Sequence, residues 1–168
     1  IERLATENII KGKSESNFAP DDSITRAELV TLLYRLSAAE EKYEKSKFSD
    51  VTENDWYMQA ISWAEEKNIA SGMGEGEFKP NEYVTREQTA VFLVRFCEYM
   101  GYNFNHTEEI AFADASVFSD WSESSISKAQ KYGLINGFED GLFAPQASTT
   151  RAQTAKILCI ILDKSIKE

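Results

Sequence analysis

The chain has 168 residues, 18 of them basic and 28 acidic for a net charge of −10, and it is 42% hydrophobic with three Trp, seven Tyr and ten Phe. That is enough apolar and aromatic material for a core of one or two small domains, which excludes a disordered chain. A pI near 4.7 opposes nucleic-acid binding, and the longest apolar run, Ile157 to Leu162, is far short of the roughly 20 residues that cross a bilayer.

In chain order the sequence reads as three copies of one unit. The chain opens at Ile1, without a methionine, as expected of an excised or processed piece. Ile1 aligns with Ile61 and Ile126, so repeat one starts inside its first helix, which ends at Asn8-Ile9. Gly12, Phe18 and Pro20 then mark a turn-rich connector. A second helix starts at Ile24-Thr25-Arg26-Ala27-Glu28. Repeat two opens on Phe48-Ser49-Asp50 and Trp56, and its first helix shows Tyr57, Ala60, Ile61 and Ala64 at i, i+3, i+4 and i+7. That helix stops at Asn68-Ile69, Gly72, Phe78 and Pro80 follow, and Val84-Thr85-Arg86-Glu87-Gln88 starts the second helix. Repeat three runs through Phe112-Ala113-Asp114, Trp121, Gly133-Leu134, Gly137, Phe143 and Pro145 to Thr149-Thr150-Arg151-Ala152-Gln153. These correspondences give units at 1–46, 47–111 and 112–168.

Local chemistry explains much of the pattern. Asn8, Asn68 and Gly133, each followed by an aliphatic residue, are the left-handed C′ and hydrophobic C″ of a Schellman ending. Thr25 with Glu28, Thr85 with Gln88 and Thr150 with Gln153 are capping boxes, and a cap tolerates either Glu or Gln. The strongly apolar second helices predict an all-α, pseudo-threefold assembly in which the three second helices form a central bundle.

The arginines do not follow from capping. Arg26, Arg86 and Arg151 each stand at the first helical position, where the helix dipole disfavours a cation. Either each pairs with a nearby carboxylate in this acidic protein, or each joins the helix-terminal amides in an anion site. Trp56 and Trp121, beside Asp50 and Asp114, read either as core anchors or as faces for a sugar ring. Trp63, matched by Arg3 and Lys128, reads as packing. Cys97 and Cys159 lie in apolar helical patterns and read as small hydrophobes, with a disulfide as the alternative. His106 has no Cys or second His at ligand spacing, which excludes a zinc site, and the acidic runs at 53–55 and 139–141 lack the ligand series of a calcium loop. No metal, cofactor or catalytic residue is expected.

The Phe-x-Asp, Trp, Gly, Phe-x-Pro and Thr-Arg-x-Glu/Gln series over the whole chain resembles three tandem S-layer homology domains. The resemblance implies three helix-turn-helix units arranged as an intrachain pseudo-trimer in a monomer, held non-covalently on a bacterial cell surface outside the cell. It implies a secondary cell-wall polysaccharide as partner, often carrying ketal-linked pyruvate, bound in grooves between repeats. Arg26, Arg86 and Arg151 match the motif arginine, and Asp50, Asp114, Trp56 and Trp121 match groove-lining positions. Repeat one has no Phe-x-Asp or Trp here, so a groove needing them would be incomplete. Repeat one also carries Lys13-Ser14-Glu15-Ser16 in place of an aromatic turn, Met73 stands for that aromatic in repeat two, and Phe138 keeps it in repeat three. A non-catalytic anchor is the reading preferred. A two-carboxylate glycosidase has no motif to support it, and a protein-interaction or surface-layer structural module without sugar binding is the alternative.

Overall fold

A computed structural model describes residues 4, 6, 9–12, 14, 17–102, 104 and 111–165. The readings placed on Ile1, Arg3, Asn8, Lys13, Glu15, Ser16 and His106 lie outside them. Among the described residues five α-helices follow the helical positions Leu4 and Thr6: α1 (Arg26–Ser37), α2 (Met58–Glu66), α3 (Arg86–Tyr99), α4 (Glu123–Lys131) and α5 (Arg151–Ser165). A single 3-10 turn spans Ala115–Val117, and among the described residues only isolated bridges, no strands, accompany the helices. The protein is an all-α helical repeat assembly.

The predicted caps set the helix ends. Thr25 and Thr85 form complete capping boxes with Glu28 and Gln88, and the reciprocal bonds of Thr150 and Gln153 start α5. Helix α2 ends with Asn68 at φ 57°, the Ile69 amide donating to the Ala64 carbonyl at 2.7 Å and the Asn68 amide to that of Glu65 at 3.0 Å. Gly133 and Leu134 repeat both bonds on Gln130 and Ala129 after α4, so each stop is a Schellman motif.

The three units close on themselves through main-chain atoms. The Ile24 amide donates to the Thr149 carbonyl, Thr149 to Val84, and Val84 back to Ile24, each at 3.0 Å. Beside this ring the Thr89 and Thr149 hydroxyls lie 2.8 Å apart. The starts of α1, α3 and α5 therefore meet at the pseudo-threefold axis. Among the described residues, the closest helix neighbours of α1 and α3, however, are the first helices of the next unit: α1 packs on α2 and α3 packs on α4. The core is continuous across these pairs, with Tyr57, Ala60, Ile61 and Ala64 all buried as the periodicity predicts. Trp63 is packing, fully buried among Tyr34, Phe96 and Tyr99. Both cysteines remain thiols, Cys97 buried and Cys159 half-buried.

The connectors are pinned by the opening loops. Asp50 accepts from the amides of Phe78 and Lys79 at 2.8 and 2.7 Å, and Asp114 from those of Phe143 and Ala144 at 2.9 and 2.8 Å. The rings of Phe48 and Phe112 approach Gly72 and Gly137 so closely that an added Cβ would lie 2.7 and 2.8 Å from them. Only glycine fits there.

Candidate functional site

The motif arginines point across the boundaries between repeats. Arg26 Nε donates to the Phe78 carbonyl at 2.9 Å and Nη2 to that of Ser71 at 2.7 Å. Arg86 binds the carbonyls of Phe143 and Asn136 in the same way, at 2.7 and 3.1 Å, and Arg151 those of Phe18 and Lys11, at 2.9 and 2.7 Å. Each guanidinium also lies over the connector phenylalanine it grips, 4.5 Å from Phe78, 4.9 Å from Phe143 and 4.9 Å from Phe18. Exposure is only 1% for Arg26 and 5% for Arg86 and Arg151. Burial lowers the Arg26 pKa to about 10, against the opposing pull of Glu82 and Asp50, so it remains a cation at neutral pH.

The helix-terminal amides are also engaged. The amides of Arg26 and Ala27 donate to the carbonyls of Glu82 and Pro80, those of Arg86 and Glu87 to Ala147 and Pro145, and those of Arg151 and Ala152 to Asp22 and Pro20. An anion held by open amides is therefore not what this geometry offers, a correction to the sequence reading of that anion site. The Phe-x-Pro connector is the cap of the preceding unit's helix. The edge of each guanidinium that the connector carbonyls do not hold is its Nη1.

Two of these edges open into grooves of the same construction. The first, about 380 Å³, is lined by Arg26 of unit one, the 71–73 connector and Gln88, Val91, Phe92 and Arg95 of unit two, and Trp121 of unit three. The second, about 180 Å³, is lined by Arg151 of unit three, Lys11 and Gly12, Glu28, Thr31, Leu32 and Arg35 of unit one, and Trp56 of unit two. Each groove thus draws on all three units. Trp121 and Trp56 are 55% and 64% exposed, far from core anchors. Asp50 and Asp114 line neither groove, because their oxygens are engaged behind it by connector amides. Around Arg86 the aromatic that Met73 replaces in unit two comes into play: the Phe138 ring lies 4.4 Å from that guanidinium.

Sequence reasoning passed over Arg35 and Arg95. They close the stripes Glu28, Thr31, Leu32, Arg35 and Gln88, Val91, Phe92, Arg95, which run i, i+3, i+4, i+7 from the cap residue. The stripe itself was the available signal, since unit three breaks it with Ile160. Among the described residues, no helix is long and apolar enough to cross a membrane.

Comparison with known proteins places these features in context. The profile of the S-layer homology domain matches residues 1–30, 47–90 and 111–155, more than half of the chain. The amylopullulanase of Thermoanaerobacterium thermosulfurigenes is 33% identical over 98% of the chain, the surface-layer 125 kDa protein of Lysinibacillus sphaericus 32% over 83%, and the cellulosome-anchoring protein of Acetivibrio thermocellus 28% over 89%. The chain spans 9%, 11% and 34% of the length of these three relatives.

Proposed function

Because the chain belongs to the S-layer homology domain family, we propose that it is a non-catalytic module that anchors a protein outside the cell, on the bacterial cell wall. Its ligand is a secondary cell-wall polysaccharide bearing an acidic ketal-pyruvate group, and it acts as a monomer. Surface-layer and cellulosome-anchoring relatives support the location. The observation that carries the binding reading is the pair of grooves, each setting an exposed indole from one unit against a motif guanidinium from another. An indole face packs on the apolar face of a pyranose, and a groove of 380 Å³ is of ligand-binding size.

In this reading Trp121 and Trp56 stack on sugar, Arg26 and Arg151 supply cationic edges, and the Arg86 guanidinium is covered by the Phe138 ring. Asp50 and Asp114 support the connectors that form the groove floors. Calorimetry with wall polysaccharide, before and after removal of its pyruvate, tests the proposal. The parent should bind the pyruvylated form more tightly. Trp121→Ala and Trp56→Ala, both at exposed positions, should each weaken binding about tenfold with little change in the thermal melt. Binding unaffected by both substitutions would favour a protein partner elsewhere on the surface.

A further inference from the structure

One buried carboxylate lines neither groove, yet it bears on the first of them. Glu87, the second residue of α3, is 2% exposed. Its oxygens accept from the Ser119 hydroxyl at 3.1 Å, the Ser119 amide at 3.3 Å, the Ser122 hydroxyl at 3.0 Å and the Gln146 side-chain amide at 2.6 Å. Ser119 and Ser122 bracket Trp121 in the opening loop of unit three. The next residue of α3, Gln88, lines the first groove with Val91, Phe92, Arg95 and that indole. Resting on the groove reading above, we propose that Glu87 is a positioning residue: from α3 it holds the Trp121 loop and so fixes the indole relative to the helix face with which it forms the groove.

Three observations support the assignment. First, the helix start does not need the acid. The register partners of Glu87 are Ala27 and Ala152, and α1 and α5 begin on the same capping and connector bonds as α3. Second, none of the four donors is a cation. A carboxylate taken out of water among neutral partners is costly, and it persists where its lone pairs are filled. Three of the four donors belong to the loop that carries Trp121. The Ser122 hydroxyl also lies 2.8 Å from the Ser119 carbonyl, but that oxygen already accepts from the Ser122 amide, and the carboxylate is the stronger acceptor. Third, the loop of the second groove is fastened differently. There the Thr52 amide and hydroxyl donate to Asp55 at 2.6 and 3.0 Å, and the Trp56 ring meets Tyr57 edge-on at 5.1 Å. The unit-three loop is one residue longer, and Ser122 stands at the register of Tyr57. The shorter loop is tied within itself, and the longer one is tied to the neighbouring unit through Glu87.

The three tryptophans make the test direct, since Trp121 reports the first groove, Trp56 the second, and buried Trp63 neither. Indole 1H–15N resonances of the whole chain are followed during titration with oligosaccharide fragments of pyruvylated wall polysaccharide. The 15N order parameter of each indole is measured before ligand is added. Glu87→Ala should lower the order parameter at Trp121 and weaken affinity there about tenfold, because a loose indole must be ordered on binding, while Trp56 keeps both values. Glu87→Gln retains an acceptor for the Ser119 amide and the Ser122 hydroxyl, and with the Gln146 amide turned over it retains the other partners too. It should return the order parameter to that of the parent and the affinity to within about twofold. The double variant Ser119→Ala with Ser122→Ala, which cuts the same tie from the loop side, should reproduce the pattern of Glu87→Ala. Equal losses at both indoles, or a Trp121 affinity unchanged by Glu87→Ala and by the serine pair, overturn the positioning role and leave the sugar grooves standing. Glu87→Gln binding as weakly as Glu87→Ala also overturns it, since the effect then belongs to charge. If the fragments move neither Trp56 nor Trp121 in the parent chain, the sugar-groove reading falls and this inference with it.

Discussion

At the scale of single residues, the motif arginine is a clamp before it is anything else. Arg86 holds the Phe143 and Asn136 carbonyls of unit three, 57 and 50 residues away. Replacing it with Ala strands two carbonyls and empties the space beneath Phe138, so Arg86→Ala should cost about 3 kcal/mol in chemical denaturation. Arg86→Lys should recover little, because an ammonium cannot serve two carbonyls from a planar fork. A loss below about 1 kcal/mol would contradict the clamp. The sequence exposes the anomaly of a cation at the start of a helix, but not its partners. Those partners are main-chain oxygens of Ser71, Phe78, Asn136, Phe143, Lys11 and Phe18, which any side chain at those positions would leave in place. Trp63, by contrast, was legible because its register neighbours Arg3 and Lys128 show that no repeated function needs it.

At the scale of elements, helix boundaries were read well because their signals are local. The Thr, Glu/Gln, Asn and Gly that start and stop the helices act within six residues of chain, and the structure uses them as written. Thr85→Ala removes the side-chain acceptor for the Gln88 amide and should lower stability by about 1 kcal/mol, measured by urea titration. An unchanged midpoint would mean that the Pro145 and Ala147 carbonyls suffice to hold the start of α3. Helix pairing was less legible, because an apolar face does not name the face that will cover it. The join between α3 and the opening of unit three shows this. Glu87 is buried and accepts from the Ser119 and Ser122 hydroxyls and the Gln146 amide, at 3.1, 3.0 and 2.6 Å. Its register partners Ala27 and Ala152 give no hint of such a contact.

At the scale of the whole molecule, the units share hydrogen bonds that none can make alone. Each contributes one amide and one carbonyl to the axial ring, caps the helix of its predecessor and receives its arginine. The fragment 47–110 loses the ring, the Arg26 clamp and the carbonyl caps of Arg86 and Glu87 together. It should show no cooperative melt by circular dichroism, whereas the full chain should unfold in one transition. A monomeric, sharply melting fragment would refute the shared fold.

The closing bonds also set an order in time. Arg151 reaches Phe18 across 133 residues and Lys11 across 140, so this helical protein carries the long-range topology that slows folding in β-rich domains. During synthesis the first unit emerges with Phe18 and Lys11 waiting for a guanidinium the ribosome has yet to make. Its connector can be locked only when the last helix begins, and until then the nascent chain is a ring with one bond open.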